Sequence, residues 1–367
     1  MVRRSRRDAC RRRLPLQTNA TPSTGFSRVD RVLRDACGSQ WTGAVARIER
    51  GGRVAFERAY GRTRADAAGE PVYVDTLFDL ASLTKLFVAT LALRATERGA
   101  LDLDGSLVHW FPKWADSEHA GITLRRLLAH DAGLNSGADY RLLLGERIAC
   151  YAIERELVAA PGERVIYSDL GFIVIGELLQ RAYGRSLSAL IGDFAREGHR
   201  GVGYRPPAAL QGAIPATEED AWRGRVQGFV HDEKAYLMGG VAGHAGLFGS
   251  AADVAWLGEQ YLGALRGRAC MLSPSTVREA LREQAFDPAL RRGLGWALKT
   301  GDENSCGRRL AFESFGHTGF VGTSIWADPT RDVLGVLLTN SVYFGRRDTS
   351  AMRTSFYESM ADDLGLR

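Results

Sequence analysis

The sequence predicts an α/β fold of the α+β type, with one antiparallel sheet assembled from both ends of the chain and a mainly helical region inserted between them. Strand-like runs lie near both ends of the 367-residue chain, at 42–48, 54–60, 295–299, 323–327 and 333–339. Between about residues 100 and 290, apolar residues keep helical spacing and glycine-rich loops separate the helical segments. Strands at both ends with helices between them favour this architecture over an alternating βαβ arrangement.

The individual elements follow in a consistent order. A helix is expected from about residue 26, and a glycine pair at 51–52 indicates a hairpin between the first two strand-like runs. A long helix is expected to follow Ser82 and to end near Gly99. Further helices are expected at 123–130, 144–158, 170–183, 186–196, 252–266 and 350–364.

The positions of these strand-like and helical segments also predict the domain boundaries. Residues 1–24 are expected to form a flexible basic arm. Residues 25–99 together with 290–367 are expected to supply the sheet region, and residues 100–289 the mainly helical insertion. The sheet region and the insertion together form one domain of about 26–364.

The positive charge of the chain is concentrated in the arm. The whole chain has a net charge of +5, whereas residues 1–13 contain seven arginines and one aspartate and therefore carry +6. The remainder of the chain is close to neutral. Because nucleic-acid binding needs clustered lysine and arginine side chains, no nucleic-acid partner is expected.

Several other classes of protein are excluded by simple patterns. No apolar run approaches the roughly 18–20 residues of a membrane span. The arginines of the arm are not followed by the apolar segment of a signal peptide, so the expected location is the cytoplasm, or the periplasm or the medium if translation starts elsewhere. The five cysteines are scattered and form no CxxC pair, which suggests neither a zinc ribbon nor a disulfide framework. The chain has no Walker or dinucleotide glycine motif in a strand–helix setting, and neither a cofactor nor a metal is expected.

Ser82 and Lys85 form the first candidate catalytic pair. A serine at a helix start and a lysine three residues later lie on one face of the helix, one turn apart. The helix N-terminus and burial both disfavour a charge on Lys85, which favours the neutral form that accepts a proton from Ser82. Lysine is also scarce in this chain, which has only Lys85, Lys113, Lys234 and Lys299. An N-cap serine followed by a surface lysine is the alternative interpretation.

A second short motif, Tyr167-Ser168-Asp169, lies in an expected loop before the helix at 170–183. A phenol at this place can relay a proton between a nucleophile and a leaving group. Taken alone, the motif is also explained by Asp169 acting as the N-cap of the following helix.

A third motif, His317-Thr318-Gly319, precedes the strand expected at 323–327. The glycine would allow the backbone to pass close to a bound substrate. Taken alone, it is also explained as a loop glycine before an edge strand.

In this order, the three motifs resemble those of the penicillin-recognising serine hydrolases, which include serine β-lactamases, D-Ala-D-Ala carboxypeptidases and related esterases. Three longer stretches are similar as well: FDLASLTK at 78–85, LLAHDAGL at 127–134 and GGVAGHAGLF at 239–248, the last resembling the class C-like branch. The resemblance covers about 26–364, and it implies a β-lactamase/transpeptidase-like fold.

The resemblance also implies a role for each motif residue. Ser82 is expected to be the acylated nucleophile, Lys85 its base or base partner, and Tyr167 the residue that shuttles protons. The backbone N–H groups of Ser82 and Phe320 are expected to form the oxyanion hole. Substrate contacts are expected from Asp169, His317, Thr318 and Gly319.

Two motif positions depart from the pattern of class C β-lactamases. Asp169 stands where those enzymes have asparagine, and a carboxylate cannot donate to a substrate carbonyl. Its negative charge also tends to keep Lys85 protonated, which moves the role of base toward Tyr167. His317 stands where lysine is usual, and a mostly neutral histidine is a weaker anchor for the carboxylate of a β-lactam. A fall in pH to about 6 is expected to protonate His317 in part.

The other histidines have expected structural roles. His130 is expected to end a helix and to bond with the backbone. His231, Asp232 and His244 lie in glycine-rich sequence that could fold near the substrate groove. A metal site from these three is one alternative, but their spacing matches no familiar ligand pattern, and a role in shaping the loops is favoured.

The sequence therefore predicts a serine hydrolase that forms an acyl-enzyme on Ser82 and acts on esters or on amides and peptides containing D-amino acids. A β-lactamase or a penicillin-binding D,D-carboxypeptidase is the alternative within the class. A catalytically inactive scaffold with this fold is the alternative from another class. The expected partner is a small-molecule ester, peptide or β-lactam-like substrate.

Overall fold

The computed structural model describes residues 25–136, 148–287, 289 and 291–366. The arm expected at 1–24 lies outside these residues, as does the first part of the helix expected at 144–158.

The largest sheet is built from both ends of the chain, as the sequence predicts. The strands of the described residues are β1 (Gly43–Arg50), β2 (Arg53–Gly61), β3 (Phe78–Asp79), β4 (Gly203–Tyr204), β5 (Glu218–Asp220), β6 (Gly224–Val226), β7 (Leu247–Gly249), β8 (Ala297–Leu298), β9 (Phe315–Thr318), β10 (Ser324–Asp328) and β11 (Val333–Thr339). Six of them form one antiparallel sheet in the order β2–β1–β11–β10–β9–β8. N-terminal β1 pairs with C-terminal β11, and Ala44 lies opposite Thr339.

Helices cover both faces of this sheet and are the main regular elements of the insertion. The helices of the described residues are α1 (Ser27–Ala36), α2 (Thr84–Glu97), α3 (Leu124–Ala129), α4 (Ile148–Glu154), α5 (Asp169–Tyr183), α6 (Leu187–Glu197), α7 (Glu233–Leu237), α8 (Ala251–Leu265), α9 (Pro274–Leu281) and α10 (Ser350–Asp363). The sequence patterns locate α3, α5, α6, α8 and α10 to within one residue at each end, whereas they miss the short α7 and α9. None of these helices is long and apolar enough to cross a membrane.

The central strand β11 shows how the layers are held together. Its side chains alternate between the two faces of the sheet, as in any strand. Val333 and Leu337 pack with apolar residues of α1 and α10. Leu334, Val336 and Leu338 pack on the other side with residues of α2 and α8. Because both faces are buried, β11 is apolar from Val333 to Leu338.

The hairpin between β1 and β2 confirms the turn predicted at the glycine pair. Arg50 lies opposite Arg53, and the two glycines between them have φ values of +63° and +72°. Two consecutive residues of positive φ make the two-residue turn that matches the twist of a hairpin, and glycine adopts this conformation without strain.

The sequence predicts no strand at the His317-Thr318-Gly319 motif, whereas the structure places this motif at the end of strand β9. In β9, His317 lies opposite Ile325 and Gly316 lies opposite Trp326. A Cβ on Gly316 would lie 2.3 Å from the Trp326 ring, so only glycine allows this strand to approach its partner. Glycine is depleted in strands, and its presence hides β9 from patterns based on side chains.

Candidate active site

Ser82 lies in a single turn of 3-10 helix, Ala81–Leu83, that leads directly into α2. Ala81 has a φ of +46°, a left-handed conformation that is unfavourable for a residue with a side chain. The buried carboxylate of Asp79 holds this turn, since it accepts the N–H of Ala81 at 2.8 Å and the N–H of His231 at 2.7 Å. The position of Ser82 is therefore set by a strained turn that a buried side chain stabilises.

Lys85 is fully buried, and its ammonium group faces Ser82. Nζ lies 3.1 Å from Ser82 Oγ, 2.7 Å from Asp169 Oδ1 and 3.2 Å from the carbonyl oxygen of His244. Burial alone would lower the pKa of Lys85, but the attraction of Asp169 together with the contribution of Tyr167 raises it above its ordinary value. The expectation that burial and the helix start make Lys85 neutral is therefore wrong, because the carboxylate outweighs both.

Tyr167 lies between two cations. Lys85 Nζ is 4.9 Å from the centroid of the phenol ring, and the guanidinium carbon of Arg292 is 5.3 Å from it. The nearby Tyr167 side chain contributes to the raised pKa of Lys85. Tyr167 is thus placed to exchange a proton with Lys85, next to Ser82.

His130 positions the Tyr167 motif. It ends α3 with a φ of +61°, its carbonyl accepts the N–H of Ile166 at 2.7 Å, and its Nδ1 accepts the N–H of Ser168 at 3.1 Å. Its ring lies 4.6 Å from the Tyr167 ring, centroid to centroid. Burial and the nearby cation Arg292 hold the pKa of His130 well below its ordinary value of 6.5. The geometry agrees with the structural role expected for this histidine.

Asp169 is paired with two lysines and does not cap its helix. The N-cap of α5 is Ser168, whose Oγ accepts the N–H of Gly171 at 3.0 Å. Asp169 Oδ1 lies 2.7 Å from Lys85 Nζ, and Oδ2 lies 3.1 Å from Lys234 Nζ. Burial would raise the pKa of Asp169, but Lys85 and the other cations nearby hold it well below its ordinary range. Asp169 is therefore an ionised acceptor with both oxygens engaged.

Sequence reasoning did not recognise Lys234 as part of this site. Its Nζ also lies 3.4 Å from Asp232 Oδ2, and Asp232 Oδ1 accepts from Nε2 of His244 at 2.7 Å. The scarcity of lysine that singled out Lys85 applied equally to Lys234, and that signal could have found it.

The structure does not bring together the three residues considered for a metal site. His231 Nε2 lies 2.9 Å from Glu218, away from His244. The atoms of Asp169, Asp232 and His244 that could bind a metal do lie within 4.8 Å of one another. However, the ammonium of Lys234 contacts both carboxylates and already supplies positive charge there. The donor set therefore fits an ion-pair network better than a metal site.

The imidazole of His317, in the wall of the site, carries a buried acceptor nitrogen. Its Nδ1 lies 2.8 Å from the carbonyl oxygen of Thr318, which can only accept, so Nδ1 carries the proton and Nε2 the lone pair. Nε2 is buried and has no partner among the described residues. Burial and the positive charge of Arg292 hold the pKa of His317 well below 6.5. The expectation that a fall in pH to about 6 protonates it is therefore wrong.

Gly319 brings the end of β9 against the nucleophile segment. A Cβ at this position would lie 2.1 Å from Thr323 Oγ1 and 2.9 Å from the carbonyl oxygen of Leu80. The packing of the chain itself therefore requires this glycine, before any substrate is considered. The next residue, Phe320, has an exposed ring, and its N–H has no acceptor in the described part of the chain.

One cavity of about 780 Å³ connects these groups, and its wall includes Ser82, Tyr167, His317, Thr318, Gly319 and Phe320. The wall is also rich in arginine. Arg291 is neutralised by Glu283 at 2.5 Å, whereas the buried Arg292 has no carboxylate partner among the residues described. The cavity thus combines a candidate nucleophile with an uncompensated positive charge.

Comparison with known proteins agrees with this arrangement. The model of the Beta-lactamase family matches residues 29–355. Esterase EstB of Burkholderia gladioli is 29% identical over 377 residues, which cover 89% of this chain and 93% of the esterase. A putative D-alanyl-D-alanine carboxypeptidase of Escherichia coli O157:H7 is 28% identical, with 89% and 86% covered. The solved structure of a penicillin-binding protein homologue from Caulobacter crescentus matches with a TM-score of 0.76 and 21% identity, covering 94% of this chain and all of that one.

Proposed function

Because the chain belongs to the Beta-lactamase family and is a serine hydrolase of the esterase or D-peptidase type, we propose that Ser82 forms its acyl-enzyme and that esters are its preferred substrates. The observation that carries the proposal is the buried Lys85 Nζ, which lies 3.1 Å from Ser82 Oγ and beside the ring of Tyr167, and which accepts a proton once the pair is deprotonated. A serine oxygen next to groups that can take its proton is an activated nucleophile.

Acylation follows from this arrangement. In the form of the enzyme in which the Lys85–Tyr167 pair has lost one proton, Ser82 Oγ attacks the carbonyl carbon of the ester, and the serine proton passes to that pair. The carbonyl oxygen becomes an oxyanion that accepts hydrogen bonds from the N–H groups of Ser82 and Phe320. When the carbon–oxygen bond to the leaving alcohol breaks, the pair returns the proton to the leaving oxygen. Because the proposed proton transfer uses both side chains, the pH profile is expected to report the pair and neither residue alone.

Deacylation reverses these roles. Water attacks the acyl carbon and gives its proton to the pair, with Tyr167 facing the cavity. The bond from the carbon to Ser82 Oγ then breaks, and the serine regains its proton from the pair. The product is a free acid, and the enzyme returns to its starting state.

The preference for esters rests on Asp169 and His317. Both oxygens of Asp169 are engaged by lysines, and a carboxylate has no proton to donate to a substrate amide. His317 offers only an acceptor where a β-lactam carboxylate would need a donor. A neutral ester needs neither of these donors.

We therefore expect the enzyme to hydrolyse a short-chain aryl ester faster than nitrocefin. Losing one charge-assisted hydrogen bond to the β-lactam carboxylate costs about 1.5–3 kcal/mol, or roughly tenfold to more than a hundredfold in rate. His317→Lys is expected to lower the ester-to-nitrocefin ratio of kcat/KM. Because His317 stays neutral well below pH 6.5, the ratio is expected to stay constant as the pH falls from 7.5 to about 6. A ratio in favour of nitrocefin, or one that His317→Lys does not change, would contradict the proposal.

A D-peptidase is the second candidate, and Arg292 favours it. Its buried guanidinium lines the cavity without a carboxylate partner in the described residues, and its Nε has no acceptor there. The carboxylate at the end of an acyl-D-Ala-D-Ala peptide has the charge that would compensate it. On this alternative, Arg292→Met lowers kcat/KM for the peptide by roughly ten- to a hundredfold, while a neutral aryl ester serves as the internal control. Equal loss on both substrates, or no peptide turnover by the unaltered enzyme, would exclude this alternative.

A further inference from the structure

Asp169 is shared by two lysines, and the mechanism above uses only one of them. We propose that Lys234 is a positioning residue for the Lys85–Tyr167 pair: it takes up part of the negative charge of Asp169, so that this carboxylate holds the proton of Lys85 less tightly. The inference rests on the proposed roles of Ser82, Lys85 and Tyr167.

The geometry places Lys234 where it has this effect. Its Nζ lies 3.1 Å from Asp169 Oδ2, while Lys85 Nζ lies 2.7 Å from Oδ1 of the same carboxylate. The side chain of Lys234 is only 9% exposed, and that of Lys85 is fully buried. Charges at such short range and away from water are screened little by solvent or salt. A change in the charge of Lys234 therefore changes the field that acts on the proton of Lys85.

The stability of its own helix does not explain a lysine at this position. Lys234 lies in the first turn of α7, two residues after the N-cap Asp232, where the helix dipole disfavours a positive charge. Its ammonium is compensated by Asp232 and Asp169. The lysine is thus held by two carboxylates at a place that the helix alone would not favour.

The other groups around the pair do not replace this effect. His130 at the end of α3 and His317 in β9 face Lys85, and burial holds the pKa of each well below 6.5. Arg292 faces the Tyr167 ring.

Two further groups lie on the side of Lys234. His244 contacts Asp232, and Asp79 lies close enough to Asp232 for their charges to interact. Within the described residues, Asp169 is the only carboxylate in an ion pair with Lys85. Lys234 therefore compensates the anion that acts most directly on the Lys85 proton.

The test is the pH dependence of kcat/KM for an aryl ester. The acid limb reports the pH at which the pair loses the proton that prevents catalysis. Removing an interacting charge a few ångströms away shifts such a limb by about one pH unit or more. Lys234→Met is therefore expected to shift the acid limb to higher pH by about one unit. On the acid side of the limb, kcat/KM of the variant is then about tenfold lower than that of the unaltered enzyme, and it recovers at higher pH. Lys234→Arg keeps the charge and is expected to keep the limb in place.

Two controls separate this effect from a general loss of structure. Lys113 is an exposed lysine paired with Glu154, so Lys113→Met matches the change in residue type and is expected to leave the profile unchanged. Asp169→Asn removes the opposite charge and is expected to move the acid limb downward. Adding Lys234→Met to Asp169→Asn is expected to leave the limb close to that of Asp169→Asn, because the carboxylate that Lys234 compensates is then absent.

The outcomes are distinct. An acid limb that Lys234→Met leaves in place, or moves downward, overturns the inference. If Lys234→Met does not fold, Lys234→Gln, which also removes the charge, decides, and an unmoved limb overturns the inference. A shift that is as large in the Asp169→Asn background as in the unaltered enzyme overturns the route through Asp169. An active Ser82→Ala variant would instead overturn the proposed function. Loss of activity in Ser82→Ala with an unmoved limb in Lys234→Met would overturn this inference alone.

Discussion

Replacing Ser82 by alanine is expected to lower kcat/KM for the best ester by about four to six orders of magnitude, because the acyl-enzyme can no longer form. The fold should be retained. The change removes one hydroxyl, Lys85 keeps its contacts with Asp169 and His244, and the turn is still held by Asp79. Rates of p-nitrophenyl ester hydrolysis measure the loss. Intact mass measurement after mixing with a slow substrate should show an acyl adduct on the unaltered protein and none on the variant.

A matched control is available in the same cavity. Ser305 also lines the cavity but belongs to none of the three motifs, so Ser305→Ala is expected to keep both the activity and the adduct. A Ser82→Ala variant with near-normal turnover, or with an acyl adduct on the same peptide, would exclude Ser82 as the nucleophile. The melting temperatures of both variants should lie close to that of the unaltered protein.

Replacing Lys85 by methionine is expected to lower kcat/KM for the ester by about 10²–10⁴-fold, the usual contribution of general acid–base catalysis. Methionine has a similar length but can neither take the proton of Ser82 nor exchange one with Tyr167. The variant should also be less stable, because Asp169 loses the closer of its two cations. Since Lys234 still pairs with Asp169, the loss should be smaller than the roughly 3–5 kcal/mol that follows when a buried charge is left unpaired.

Arginine at position 85 separates charge from proton transfer. Lys85→Arg keeps a positive charge beside Asp169 but does not give up its proton at any accessible pH. We expect this variant to be as inactive as Lys85→Met. If Lys85→Arg retains most of the activity, Lys85 acts only as a fixed charge and Tyr167 alone serves as the base. Thermal unfolding and ester hydrolysis on the two variants make the comparison.

Regular elements with long apolar patterns were predictable from the sequence. Helices α5 and α8 repeat apolar residues at helical spacing, and strand β11 is a continuous apolar run, so local residues alone indicate them. Strand β9 was missed because Gly316 carries no side chain, and its packing against Trp326 comes from another strand. Short α7 was missed because five residues are too few to show a helical period. The predictable elements are those whose stabilising contacts repeat along the chain.

The three motifs were also predictable, and so was the effect of Asp169 on Lys85, whereas the pKa of His317 was not. The order of Ser82, Tyr167 and His317 along the chain indicated the class of chemistry. The charge states depended on neighbours far away in sequence. Asp169 raises the pKa of Lys85, and Arg292 lowers the pKa of His317, from positions 84 and 25 residues away.

By itself, the sequence determined the fold class, the sheet built from both chain ends and the identity of the candidate nucleophile, because these depend on residue type, spacing and order. Only the tertiary structure decided that Lys234 shares Asp169 with Lys85, that His317 presents an acceptor, and that Arg292 stands without a carboxylate partner among the described residues. The reason is physical. Desolvation and Coulomb interactions act over a few ångströms in space, and the sequence does not show which side chains folding brings within that distance.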